Sequence, residues 1–183
     1  MTKPVATLAL MLILVSAAVA QAPADTTAQA PTPEEATLTE VGQMAPDFSV
    51  ETLGGGTFTL SEQKNKVVLI NWFATWCPPC QKEMPHLQKE VWEAFATQGL
   101  VMISVARQEK ADVVAPFVKK FEVTWPFGLD PDRKAYAQYA EAFIPRNTLV
   151  GPDGRIIFQS EGFEEADFKA MIKAISKALE GQG

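Results

Sequence analysis

The residues best suited to chemistry in this chain are its two cysteines, Cys77 and Cys80, set three apart in Trp76-Cys77-Pro78-Pro79-Cys80. At the start of a helix that spacing lets two sulfurs close a disulfide with little backbone movement. With Cys77 as N-cap, Pro78 and Pro79 fall at N1 and N2, where proline is tolerated. The prolines carry no N–H, so the Cys80 N–H is the main local donor left for a Cys77 thiolate, which the helix partial charge also favours. The thiolate is the nucleophile of disulfide exchange. Cys77 is therefore expected to sit exposed and attack first, and Cys80, one turn further in and more buried, to resolve the mixed disulfide. No His or Lys separates the two. A moderately lowered thiol pKa follows, and with it a stable disulfide and a reducing pair. A net disulfide-forming oxidase is the opposite outcome, decided by tertiary contacts.

Other uses of the pair fit less well. A disulfide serving only as a staple would close a very small loop and gain little entropy. Two cysteines are too few for a disulfide framework. A tetrahedral zinc site wants four ligands, and the chain offers Cys77, Cys80 and the lone His86. No metal and no external cofactor are expected; the redox-active group is the Cys77–Cys80 disulfide itself. Nucleic acid is not an expected partner, because the formal net charge is −6 and phosphate binding needs a basic footprint. The acidic surface argues equally against anionic lipid.

The elements that must position the pair are legible on either side of it. Val67 to Phe73 is an apolar run rich in β-branched residues, as in a strand buried on both faces. After the prolines, Met84, Leu87, Val91 and Phe95 recur at helical spacing as far as about Thr97, and Gly99 suits a C-terminal cap. Leu100 to Ala106 reads as a second buried strand, so a right-handed parallel crossover is expected. Asp47–Glu51 and Thr57–Leu60 flank Gly54-Gly55-Gly56 as a hairpin. Asp112 can cap a helix with Pro116 in its first turn. Asp132 to Tyr139 reads as a short helix. Thr148–Val150 and Ile156–Gln159 form an antiparallel pair about Gly151-Pro152-Asp153-Gly154. A last helix spans about Glu165 to Leu179, acidic at its start and basic at its end. Trp92, Trp125, Tyr136 and Tyr139 read as packing, and His86 as a surface residue. The sum is an α/β fold with a central mixed sheet, helices on both faces and an N-terminal β-hairpin extension.

The 183 residues suit one folded domain, with 47% hydrophobic residues to build a core. Lys3 opens the chain, an apolar run follows from Val5 to Ala20, and Ala18-Val19-Ala20 fits a small-x-small cleavage site. Residues 1–20 therefore read as a signal peptide, whose removal takes the net charge to −7. A retained N-terminal membrane anchor is the alternative, although the run is shorter than the roughly 20 apolar residues of a spanning helix. Residues 21–40, rich in Ala, Pro and Thr, read as a disordered linker, and 41–183 as the folded domain.

The segment Asn71 to Cys80 (NWFATWCPPC), with Glu83 and Pro85 after it, resembles the TlpA/ResA branch of thioredoxin-like proteins. So do the opening Val41 to Phe48 (VGQMAPDF) and the later Ile144-Pro145 followed by Leu149 to Gly154 (LVGPDG). The resemblance covers roughly Val41 to Leu179 and implies a thioredoxin-like fold and a thiol-disulfide oxidoreductase, acting on protein disulfides in the periplasm or cell envelope. Such proteins reduce apocytochromes for cytochrome c maturation or clear wrong disulfides, with electrons from a membrane thiol donor. It implies a cis bond before Pro145, a backbone at Ile144 that pairs with an incoming peptide, and a substrate rim of Trp76, Pro78, Pro79, Ile144, Pro145 and Arg146. Arg146 stands where relatives commonly carry a small or hydroxylated residue. It would stabilise the thiolate, recruit acidic partners, or simply face solvent. Asn71 replaces the buried Asp of thioredoxins, and Glu83 matches a Glu that these relatives place near the pair. Glu83 shares a helix face with Cys80 and is expected to relay its proton, or else to be a solvated first-turn glutamate. Pro85 is expected to kink the helix. Ala45-Pro46-Asp47-Phe48 is shared with peroxiredoxins, so a thiol peroxidase is a rival. Those enzymes need Thr or Ser three residues before the reactive cysteine, and here that residue is Ala74.

Overall fold

A computed structural model of the chain describes residues 30–181. The signal-peptide reading of residues 1–20 and the first part of the linker reading, 21–29, lie outside the described residues. Two glycines at positive φ, Gly55 and Gly56, turn β1 (Ser49–Thr52) back onto β2 (Thr57–Thr59) as an antiparallel hairpin. Next come β3 (Val68–Phe73), β4 (Val101–Arg107) and β5 (Phe127–Asp130), which run parallel. The antiparallel pair β6 (Arg146–Val150) and β7 (Ile156–Glu161) completes a seven-stranded mixed sheet of order β2-β1-β5-β4-β3-β6-β7.

Strand β3 lies between β4 and β6 and is buried along its whole length. Leu69 and Phe73 face one core, and Val68, Ile70 and Trp72 face the other. The first core is closed by helices α1 (Pro78–His86), α3 (Ala111–Phe121) and α4 (Glu165–Glu180), through Met84, Phe117, Met171 and Ile175. The second is closed by the hairpin (Phe48, Phe58) and by a 3-10 helix (Tyr136–Gln138), so the helical cover of the two faces is unequal. There Trp72 packs against Tyr139 and Phe48 with ring centroids 4.8 and 5.3 Å apart.

Helix α1 does not continue as regular α-helix to Thr97. Pro85 lies inside it, a π-helical stretch (Leu87–Trp92) follows, and α2 (Glu93–Phe95) and a 3-10 turn complete the run to Gly99, whose φ of +101° ends it. Proline removes one helical hydrogen bond, and π turns are a usual accompaniment of such irregularities.

Four sequence expectations shift. Strand β5 was not anticipated: it is four residues long with Gly128 inside it. That glycine is required by close approach, since a Cβ there would meet Val50 Cγ2 of β1 at 2.6 Å. Helix α3 begins at Ala111, with Lys110 rather than Asp112 at the N-cap position and no side-chain cap, which puts Pro116 in its second turn. The helix expected over 132–139 contracts to the 3-10 turn, because the Asp130 carboxylate accepts the Ala135 and Tyr136 N–H groups at 3.2 and 2.8 Å. Lastly, the disordered linker expected over 21–40 is ordered in its last part. Thr32 and Glu35 exchange backbone-to-side-chain hydrogen bonds as a capping box, Ala36 is fully buried, and Thr37 bridges Ala140. Residues 41–45 then run beside β7, where Gly42 N–H donates to the Ile156 carbonyl and Ile156 N–H to the Gln43 carbonyl. Among the described residues no helix is long and apolar enough to cross a membrane.

Candidate active site

Strand β3 ends at Phe73, and the chain turns through Ala74, Thr75 and Trp76 into α1. Cys77 is the N-cap, with extended φ −83° and ψ 111°, and prolines occupy N1 and N2. Its Sγ accepts the Cys80 N–H at 3.3 Å, the donor that the two prolines leave. Cys77 and Cys80 form a disulfide, with Cα atoms 5.3 Å apart, within the usual span for the bond. Across the gap, the Ile144 carbonyl oxygen lies 3.6 Å from Cys77 Sγ, and the Ile144–Pro145 bond is cis.

One expectation about this pair needs correcting. Cys77 is not exposed in the disulfide form: it retains 3% of its surface, and Cys80 none. The outward groups are its neighbours, Trp76 at 62% exposure with Pro78 and Pro79. Phe143, 41% exposed, marks the opposite wall beside Ile144. Pro145 is buried.

Beneath the disulfide lies a polar network inside an otherwise apolar core. Glu83, 1% exposed, accepts from Asn147 Nδ2 at 2.6 Å and from Asn71 Nδ2 at 3.0 Å. Asn71 Nδ2 also donates to Asn147 Oδ1, while Asn71 Oδ1 accepts from Ser104 Oγ and that in turn from Trp125 Nε1. Residues 71 and 147 are register partners on β3 and β6, and 71 and 104 on β3 and β4, so the sheet itself aims the donors at one carboxyl. Burial pushes the Glu83 carboxyl up to about 7, against the lowering effect of its hydrogen bonds from Asn147 and Asn71. Glu83 is thus no solvated first-turn glutamate; it is a buried group poised to change charge near neutral pH.

A second buried carboxylate steadies the loop before Cys77. Glu109 accepts from Thr75 N–H at 2.7 Å and from Thr75 Oγ1 at 2.6 Å, while the Thr75 carbonyl accepts from Gln81 Nε2 of α1. Sequence reasoning missed Ser104, Asn147 and Glu109, and took Trp125 for packing alone. The available signal for Ser104 was a polar residue interrupting the apolar run Val101–Ala106; Asn147 stands within Arg146-Asn147-Thr148, where no apolar run marks it.

Arg146 lies elsewhere than expected. It is 5% exposed, neither solvated nor aimed at the sulfurs, because backbone carbonyls and Thr37 consume its guanidinium. His86 is a surface residue, 2.6 Å from Glu90. Among the described residues no group of three His, Cys, Asp or Glu side chains could hold a metal ion.

A buried parallel strand feeding a capped Cys-Pro-Pro-Cys helix, with a cis-proline opposite, defines a thioredoxin-fold redox protein, and the chain belongs to the AhpC/TSA family, whose model matches residues 41–159. Within that family it is similar to the thiol-disulfide oxidoreductase ResA. The Bacillus subtilis (strain 168) protein is 34% identical over 116 residues, 63% of this chain and 64% of that one. A Bacillus cereus protein is 31% identical over 118 residues, 64% and 68% of the two chains. Among solved structures, a proposed protein disulfide isomerase from Bacteroides thetaiotaomicron superposes with a TM-score of 0.76 at 34% identity, covering 79% of this chain and 93% of that one. The thioredoxin domain of a Bacteroides vulgatus thiol-disulfide oxidoreductase gives 0.67 at 23%, covering 75% and 99%, a likeness of fold. Together with the Cys77–Cys80 disulfide, these relatives make the protein a thiol-disulfide oxidoreductase.

Proposed function

We propose that the protein works outside the cytoplasm as a reductant of protein disulfides, recharged by a membrane thiol donor. The observation that carries the direction is the thin stabilisation at Cys77: one N–H donor, two prolines without donors, and a carbonyl oxygen 3.6 Å away. A weakly stabilised thiolate accompanies a stable disulfide, hence a reducing pair. In the reaction the Cys77 thiolate attacks a substrate disulfide, and one substrate sulfur leaves as thiolate. Cys80 then loses its proton and attacks the Cys77 sulfur, releasing the second substrate thiol. Two electrons pass to the substrate and the Cys77–Cys80 disulfide remains. Glu83, one turn beyond Cys80 on the same helix face, takes up the Cys80 proton. The rim of Trp76, Pro78, Pro79 and Ile144-Pro145 receives the substrate chain. The export reading rests on the signal-like run before Ala20.

The test is insulin reduction with dithiothreitol, paired with a redox titration of the Cys77–Cys80 couple. A potential near that of thioredoxin, about −270 mV, with insulin turnover supports the reading; one near −120 mV reverses the direction. C80S must accumulate a mixed disulfide at Cys77. Trapping by C77S instead would reverse the order of attack.

A further inference from the structure

Arg146 is a buried guanidinium, and among the described residues it takes part in no ion pair. Desolvating a cation without an anion is unfavourable, so what it holds must repay the burial through geometry. Its Nε donates, shared, to the carbonyls of Ala142 and Phe143 at 3.0 Å each. Its Nη1 donates to Thr37 Oγ1 at 2.8 Å and its Nη2 to the Pro33 carbonyl at 3.1 Å. One side chain thus ties the loop ahead of the cis-proline to the segment before the hairpin. A planar fork with fixed donor directions suits that task; a lysine ammonium does not.

The loop so held is under tension at one place. Phe143 has φ +65°, a left-handed conformation that bulky side chains avoid and that persists where the surroundings over-determine it. The restraint is visible: the Phe143 carbonyl is gripped both by Arg146 Nε and by Tyr136 Oη, at 2.7 Å for the latter. The next residue is Ile144, whose carbonyl faces Cys77 Sγ. The far anchor is also fixed. Leu38 N–H donates to the Tyr139 carbonyl, Glu141 N–H donates to the Ala36 carbonyl, and Thr37 Oγ1 donates to the Pro33 carbonyl at 2.7 Å.

We propose that Arg146 is a positioning residue for substrate, and that residues 33–37 form the rear frame of the substrate loop. Arg146 sets Phe143 and Ile144 against Cys77 so that an extended, disulfide-bearing polypeptide can pair with the Ile144 backbone as it meets the sulfur. This rests on the reductase reading above and adds the device that selects polypeptides over small disulfides. A small disulfide needs only the sulfur; a polypeptide needs the loop.

The test uses the full chain with R146K, which keeps the charge and loses the fork, and T37V, which replaces the hydroxyl that Arg146 Nη1 reaches. Two readouts are compared: KM and kcat for insulin with dithiothreitol, and the rate at which the reduced protein reacts with 5,5′-dithiobis(2-nitrobenzoate). For R146K the insulin KM should rise about tenfold, as expected for losing hydrogen bonds from a charged donor. The ratio of insulin kcat/KM to small-disulfide rate should fall by a similar factor, and T37V should shift it the same way by a few-fold. An unchanged ratio in both variants overturns the inference, and so does an equal loss on both substrates, which marks a merely structural role. A wild-type protein that reduces the small disulfide but not insulin overturns the reductase reading instead, and the two failures are told apart by the wild-type control.

Discussion

Glu83 is a carboxyl enclosed by amides, with no cation among its hydrogen-bond partners. Its two states therefore differ sharply in how well the protein tolerates them. The unfolded glutamate ionises near 4.5 and the folded one near 7. Between those values the folded chain keeps a proton that the unfolded chain has lost, so stability falls as pH rises. The contribution is fully present below 4.5 and gone above about 7, and its size is about 3 kcal/mol. Urea unfolding at pH 4.5 and pH 8 should show the wild type losing about 3 kcal/mol more than E83Q across that interval. Parallel profiles would mean that Glu83 titrates normally. E83Q should also slow the resolving step, by a factor on the order of 10², with mixed disulfide accumulating in quenched-flow samples. The cysteine pair was legible from its spacing; Glu83 was singled out by the family resemblance, with helix periodicity setting it on the face of Cys80. Its partner Asn147 was not legible, because Asn147 comes from β6, whose register against β3 no local pattern reveals, and neither was Ser104, which holds Asn71 from β4.

Between elements, the site depends on contacts that hold loops to the sheet. Glu109, at the end of the β4–α3 connection, takes both the N–H and the hydroxyl of Thr75. E109A should leave those donors without a partner and destabilise the fold by about 1–3 kcal/mol, with faster alkylation of reduced Cys77 as the Thr75–Trp76 loop loosens. Unaltered alkylation would show that Glu109 has no hold on the site. Gly128 does comparable work in β5. G128A would drive a Cβ into Val50, parting the hairpin from the sheet at a penalty of about 1–3 kcal/mol, measurable by thermal denaturation. The long strands β3 and β4 were readable from their unbroken apolar runs. Strand β5 was not, because four residues containing a glycine carry no period of their own, and only pairing with β4 and β1 makes them a strand.

At the scale of the molecule, the folded unit begins earlier than composition suggests. The Ala, Pro and Thr content of residues 21–40 suits a tether, yet Thr32-Pro33-Glu34-Glu35 also carries the Thr-x-x-Glu pattern of a capping box, which here closes a turn and which bulk composition conceals. A chain starting at Val41 should melt several degrees below one starting at Pro31, since each lost kcal/mol lowers the midpoint by about 2–4 °C at this size. Equal midpoints would show that the segment adds nothing to stability. The segment beside β7 has a wider consequence. Strand β2, at one margin of the sheet, is only three residues long, and at the other margin the first residue of β7, Ile156, is hydrogen-bonded to Gly42 and Gln43 of the same chain. Strip that cover away and the outer side of Ile156, with Ile157 already facing water, becomes an open template on which a neighbouring molecule can hydrogen-bond. Light scattering from concentrated samples lacking the leading segment should rise with time, as the uncovered edge recruits neighbouring molecules.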